Sequence, residues 1–335
     1  MKAAQIVRPL DGRVVSTPEP EISANDVLIQ VHAAGICGTD LHIFKGEYEA
    51  MYPLTPGHEF SGEVVAVGTN VTRFRVGDRV TADPNIPCNT CDYCQRNEPN
   101  QCRNLRAIGV TRNGAFAEYV AAPESVVFAI GDMSYSAAAL IEPLACVVWG
   151  LKRVEVQPGD SALVLGAGPM GLLVAQSLKS AGAARVVVTD LIPWRLAMAE
   201  QLGAAATVVT DAGQDARLKS IAPDGFAIVV DATGIPAVLE STFRYVKPRG
   251  TIWVFGVTPV GTHVQFPAYE VFRRDLKIIG SFAVNRTFPQ SIALIQSGTI
   301  QVEPLISHQL PLDDFVQGMV LAEKDPKRVK VHFCL

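Results

Sequence analysis

The chain has 335 residues, 48% of them hydrophobic and 19% charged, a globular composition too long for one small core, so two domains are expected. A formal net charge of −4 gives no electrostatic basis for binding nucleic acid or an anionic membrane surface. No apolar run is long enough to span a bilayer, since the most apolar stretch, Leu163 to Ala175, is broken by three glycines and a proline.

The start, MKAAQIVRPLDGR, lacks the apolar core of a signal peptide, so a cytoplasmic location is expected, where thiols stay reduced. From residue 1 to about 143 the pattern is short β segments split by Gly, Pro, Asn and Asp. Strands are expected over 27–33, 61–67 and 79–82, and a helix near 37–44. Glycines 57, 62, 68 and 77 punctuate the strands as in a compact barrel. The pattern then changes to apolar strands alternating with helices. Strands are expected at 161–165, 185–189, 207–210, 227–230 and 252–255, with helices at 170–180 and 194–202 between them. Such alternation describes a parallel sheet covered on both faces. The segment 276–281 is expected to end that sheet, and the proline-bearing tail to return to the first domain.

Cys88, Cys91, Cys94 and Cys102 form a C-x2-C-x2-C-x7-C loop. Four thiolates fill a tetrahedral zinc and leave no open position, as in a structural site. An iron–sulfur cluster is the competing chemistry, but the last spacing is long and Cys102 is not followed by Pro. Cys37 with the pair His58 and Glu59 mixes thiolate, imidazole and carboxylate, which suits a catalytic metal with a position left for substrate. Cys146 and Cys334 read as incidental thiols, and His32, His263, His308 and His332 as structural or exposed.

Gly166-Ala167-Gly168-Pro169-Met170-Gly171 is G-x-G-x-x-G between an expected strand and helix, and Asp190 stands about 20 residues on at the next strand end. In this fingerprint the helix N-terminus meets the pyrophosphate, and the acid accepts from the ribose hydroxyls and repels a 2′-phosphate. Leu191 and Ile192 follow, with no adjacent cation, so NAD is expected over NADP. Thr233 joins the cofactor-binding set. Arg195 either lies along the adenosine or is a solvated helix residue.

Cys37-Gly38-Thr39-Asp40-Leu41-His42, Gly57-His58-Glu59, the four-cysteine loop, the GAGPMG turn and Ile141-Glu142-Pro143-Leu144 occur in the order seen in the zinc-containing medium-chain dehydrogenase/reductase (alcohol dehydrogenase) family. The chain resembles that family along essentially its whole length, and most of all its polyol branch of sorbitol and arabinitol dehydrogenases. The resemblance implies a GroES-like β-barrel catalytic domain (1–143 and 282–335) and a Rossmann NAD-binding domain (144–281). It implies that Cys37 and His58 are catalytic zinc ligands, that Glu59 is a ligand or exchangeable near-ligand, and that Glu142 binds zinc directly or through water. Thr39 and His42 occupy relay positions for the alcohol's proton, and Asp40 that of a carboxylate orienting the ligand histidine. Two zinc ions per chain, NAD, an alcohol or polyol substrate and a homo-oligomer, tetramer or dimer, are implied with it. The reaction implied is hydride transfer from a secondary hydroxyl to NAD, giving a ketose or ketone. A threonine 3-dehydrogenase-like or general secondary alcohol dehydrogenase is the enzymatic alternative, and an NAD-binding regulatory protein the non-enzymatic one. Sorbitol dehydrogenases carry a Phe-Arg-Tyr segment where this chain has Phe282-Ala283-Val284, and the missing arginine argues against sorbitol itself.

Overall fold

Strand Asp26–Gly35 organises the N-terminal region of the computed structural model, which describes residues 1–48 and 50–335. Its residues are buried almost throughout, with Gln30 exposed. It pairs antiparallel with Glu59–Val67 along its length, with Tyr119–Pro123 along its first half, and with Lys330–Cys334 at its end. The seven-stranded sheet continues to Ile306–Pro311 on one side and to Arg79–Ala82 and Val127–Ala129 on the other. Its core holds Ile6, Ile29, Phe60, Phe116, Phe315 and Phe333. Phe116 and Phe333 meet edge to face at 5.0 Å, an arrangement that contributes about 1 kcal/mol beyond area burial. This unit comprises Met1–Ala145, Val284–Ser297 and Val302–Leu335. The C-terminal strand thus lies beside a strand formed some 300 residues earlier.

The second unit comprises Cys146–Ala283 and Gly298–Gln301. Helix Ile141–Val154 carries the chain across the division between Ala145 and Cys146, so a boundary at 143 or 144 does not coincide with an end of the helix. Six parallel strands lie in the order Ala206–Val209, Arg185–Asp190, Ser161–Leu165, Phe226–Asp231, Val246–Val254, Lys277–Gly280. Ser161–Leu165 and Phe226–Asp231 are buried along nearly their whole length, which is why they read as unbroken apolar runs. Chain direction through the sheet reverses between these two strands, and that switch point is where doubly wound sheets open a crevice for ligand. Among the described residues no helix is long and apolar enough to cross a membrane.

Candidate active site

Cys37 caps helix Gly38–Lys45, and Asp40 in its first turn accepts the Cys37 N–H at 2.8 Å. The same wholly buried carboxylate accepts the Gly57 N–H at 3.2 Å and faces His58 Nδ1 at 3.5 Å. One acid therefore ties the helix start to Gly57 and His58, just ahead of strand Glu59–Val67. Donor atoms of Cys37, His58 and Glu59 lie within 4.8 Å of one another. With Nδ1 turned to Asp40, the other imidazole nitrogen remains for a metal. Burial opposes a charge on His58, but Asp40 and Cys37 outweigh it and hold the imidazole well above its usual range. A metal has to displace that proton to bind.

Glu142, in the first turn of helix Ile141–Val154, is buried. It is not within 4.8 Å of all three donors, yet it is near enough to help raise the pKa of Lys330. Thr39 Oγ1 stands 3.8 Å from Cys37 Sγ. His42 is at the surface, its Nδ1 2.7 Å from Glu47.

The four-cysteine loop is also assembled. Cys91 Sγ lies 3.6 Å from Cys94 Sγ and 3.9 Å from Cys102 Sγ. A tetrahedral ion with Zn–S bonds of about 2.3 Å spaces its sulfurs about 3.8 Å apart, so one ion fits, whereas a multi-iron cluster would spread the thiolates over several metals. The N–H groups of Cys88 and Cys91 point at Cys102 and Cys88 sulfurs, at 3.2 and 3.4 Å. The Thr90 hydroxyl and neighbouring N–H groups bring the Cys88 thiol down to about 5, while burial pushes Cys94 up to about 12. A dication resolves this conflict by stabilising all four thiolates together.

In the second unit the glycine turn lies at the switch point. Gly166 has φ 104°, and a side chain there would strike Thr233, which follows the strand across the switch. A Cβ on Gly171 would stand 1.9 Å from the Gly166 carbonyl oxygen, whereas one on Gly168 meets nothing within 4 Å. The open space at Gly168, where helix Pro169–Ser180 begins with Met170 in its first turn, suits a pyrophosphate. Asp190 accepts N–H groups from Ala167 at 2.7 Å and Ile192 at 2.8 Å, which ties the glycine turn to the end of the next strand and leaves lone pairs for further donors. Asp231, fully buried, accepts the Thr233 hydroxyl at 2.6 Å, a support the sequence reading missed. The Arg195 guanidinium lies 5.5 Å from the Trp194 ring centroid.

Near the cysteine loop, Asn285 donates to the Asn97 carbonyl at 3.4 Å, and Arg286 lines a cleft of about 380 Å³ with Asp83, Asn85 and Ser125. Burial raises the Asp83 carboxyl to about 6, against the N–H and amide of Asn85. A carboxyl whose folded pKa exceeds its unfolded value stabilises the fold below about pH 4, and that contribution is lost as pH rises through about 6. Asp83→Asn is therefore expected to add up to about 3 kcal/mol at pH 8 and little at pH 4. Urea unfolding at both pH values checks this; an equal gain at the two would refute it.

One further residue escaped the sequence reading: Lys330 is buried and ion-paired with Glu59. His332, read as structural or exposed, is wholly buried. A lysine inside the apolar strand KVHFC was the available signal, because a buried cation requires a partner.

Residues 23–132 match the family model of the alcohol dehydrogenase GroES-like domain, and residues 169–297 that of the zinc-binding dehydrogenase. D-altritol 5-dehydrogenase of Agrobacterium fabrum is 38% identical over 338 residues, covering 99% of each chain. D-arabinitol dehydrogenase 1 of Uromyces fabae is 36% identical over 95% of this chain and 93% of its own. A solved zinc-binding dehydrogenase from Sinorhizobium meliloti 1021, bound to NADP, superposes with a TM-score of 0.95 at 34% identity, over 100% of this chain and 99% of that one.

Proposed function

We propose the reaction from one premise: the chain belongs to the zinc-dependent alcohol dehydrogenase family, with its GroES-like and zinc-binding dehydrogenase domains. It is an oxidoreductase that uses zinc and a nicotinamide dinucleotide. Its substrate is a polyol or related alcohol, oxidised at a secondary hydroxyl to a ketose or ketone. The observation that carries this reading is the convergence of Cys37, His58 and Glu59 donor atoms within 4.8 Å, with buried Glu142 nearby. Two carboxylates beside one metal position pair several hydroxyls, and an aliphatic alcohol would leave them unpaired. Two relatives named for alditols support the same class.

Bound zinc supplies a Lewis acid that acidifies a hydroxyl, and the nicotinamide ring accepts the hydride. Cys37 and His58, with Glu59 or Glu142, would hold the metal, and Asp40 fixes the orientation of His58. Thr39, beside the Cys37 sulfur, would accept the alcohol's proton while passing its own onward, and His42, at the surface, would take it out to solvent. Cys88, Cys91, Cys94 and Cys102 would hold a second zinc whose task is to brace their loop. Gly166, Gly168 and Gly171, with Asp190 and Thr233, would hold the dinucleotide.

NADH production across alditols, short diols, simple alcohols and L-threonine tests the substrate class. Polyols other than sorbitol are expected to give the highest kcat/KM, because Ala283 stands where sorbitol dehydrogenases carry arginine. If primary alcohols or L-threonine exceed every polyol by a wide margin, the polyol reading fails.

Asp190 sets NAD above NADP in this reading, although the Sinorhizobium relative was solved with NADP. Asp190→Ser with Ile192→Arg should shift the kcat/KM ratio toward NADP by at least about tenfold, since a repulsion is removed and a phosphate partner added. Affinity for both dinucleotides should fall somewhat, because the carboxylate also anchors Ala167 and Ile192. A wild-type enzyme already preferring NADP would refute the reading.

The chain is a homo-oligomer, a dimer or tetramer. Strand Lys277–Gly280 is a sheet edge, and Val257, Val260, Tyr269, Phe272 and Ile278 nearby in the chain are exposed. Light scattering on the eluting protein reads the mass. The clustered free thiols fit the reducing cytoplasm.

A further inference from the structure

Glu59, Gly35 and His332 form one rung across three neighbouring strands, with Gly35 paired to Glu59 on one side and to His332 on the other. Side chains on a rung project from the same face, and so does the residue two places along a strand, here Lys330. The central position is a glycine, so the three flanking side chains lean into its space. A Cβ on Gly35 would lie 2.5 Å from Glu59 Oε2, 3.0 Å from Lys330 Cε and 3.3 Å from His332 Nε2. Lys330 Nζ pairs with Glu59 Oε2, and the two side chains are 4% and 1% exposed. Among the described residues neither ring nitrogen of His332 has a hydrogen-bond partner, although the residue is fully buried.

The Glu59 carboxylate thus serves two neighbours. It offers an oxygen within 4.8 Å of the Cys37 and His58 donors, and its Oε2 takes the lysine. A carboxylate paired with a buried ammonium is a weaker metal ligand, since its charge is already compensated. If it turned to the metal, Lys330 would be left buried and unpaired unless another acceptor were at hand. His332 Nε2 is such an acceptor: it is fully buried, borders the same Gly35 space as Lys330 Cε, and has no partner among the described residues.

We propose that Lys330 and His332 are positioning residues for Glu59: Lys330 holds the carboxylate off the metal in the resting enzyme, and His332 accepts the ammonium when Glu59 turns to the metal. Gly35 supplies the space in which this exchange occurs. The inference rests on the zinc dehydrogenase reading above and concerns a step within that site.

The test uses full-length enzyme carrying zinc, or cobalt at the catalytic position. Zinc release to a chelator and the cobalt visible spectrum are read without substrate, so failure of the polyol assignment, which shows only in the substrate panel, is distinguishable from failure here. Glu59→Gln is expected to keep the resting release rate and cobalt spectrum close to wild type, because Glu59 is not a resting ligand. Lys330→Met is expected to slow zinc release and shift the cobalt spectrum, as the freed carboxylate joins the metal. His332→Leu should leave both resting readouts unchanged and lower kcat by about tenfold or more, in the range of losses at residues that orient ligands. Release about tenfold faster with an altered spectrum in Glu59→Gln would make Glu59 a resting ligand and overturn the proposal. A folded His332→Leu enzyme with wild-type kcat would overturn it too. Should Lys330→Met fail to fold, the other two variants decide the matter alone.

Discussion

Cys37→Ser and His58→Ala are each expected to reduce turnover by at least about 1,000-fold while dinucleotide binding survives, because loss of a direct ligand exceeds the 10- to 100-fold cost of losing a group that merely orients one. The two residues belong to the seven-stranded unit, and the glycine turn belongs to the unit of six parallel strands. Damage at the metal is therefore expected to leave the nucleotide crevice formed. His58→Ala also strands the Asp40 carboxylate, but that acid keeps the N–H groups of Cys37 and Gly57, so the local fold should hold. Quenching of protein fluorescence by NADH reads binding separately from turnover. If either variant retained more than a few per cent of kcat, the assignment of Cys37 and His58 as ligands would be wrong. If NADH binding vanished with turnover, the independence of the two sites would be wrong.

Cys91→Ser has the opposite profile, with a large loss of stability and little loss of catalysis per folded molecule. Its sulfur lies 3.6 and 3.9 Å from two of the other cysteine sulfurs, so removing it takes one corner from the tetrahedron. A closed site has no position for a reacting group, and its binding energy is folding energy. The loop from Cys88 to Cys102 contains only two single-turn helices, Asp92–Gln95 and Pro99–Gln101, too short to hold shape on their own. A fall in thermal midpoint of about 10 °C is expected, and selective removal of this zinc by a chelator should have the same effect. Zinc content should drop from two ions to one per chain, with iron absent from both proteins. Stoichiometric iron and sulfide, or an intact melting curve with catalysis lost, would defeat this division of roles.

Both predictions rest on motifs that the sequence displays openly, and the reason lies in distance along the chain. The cysteines fall within 15 residues and the glycines within 6, so the spacing of neighbours in the chain nearly fixes their spacing in space. Asp190 stands at the end of the next parallel strand, and a βαβ unit brings it back to the turn by a route with little freedom. Strands 79–82 and 161–165 were legible for a similar reason, as apolar runs bounded by turn residues, and the structure has both with those bounds. Strand Val246–Val254 starts before its apolar part, because Lys247, Pro248 and Arg249 hide its beginning, so an expectation of 252–255 is too short.

What the sequence determined by itself, then, was the four-cysteine cluster, the glycine turn and the change from β-rich to alternating architecture, all written in local spacing or period, whereas the roles of Cys37, His58, Glu59 and Glu142 came from the family resemblance. Only the tertiary structure decided which distant side chains share a face. Lys330 and His332 stand some 270 residues from Glu59, and nothing in KVHFC indicates which strand lies beside it. The register does: a shift of one residue would turn both side chains to the other face and leave Glu59 without its cation. That register is set by the burial of Val331 and Phe333 against Phe116 and Phe315, a cooperative property of the whole core that no short stretch of the chain carries.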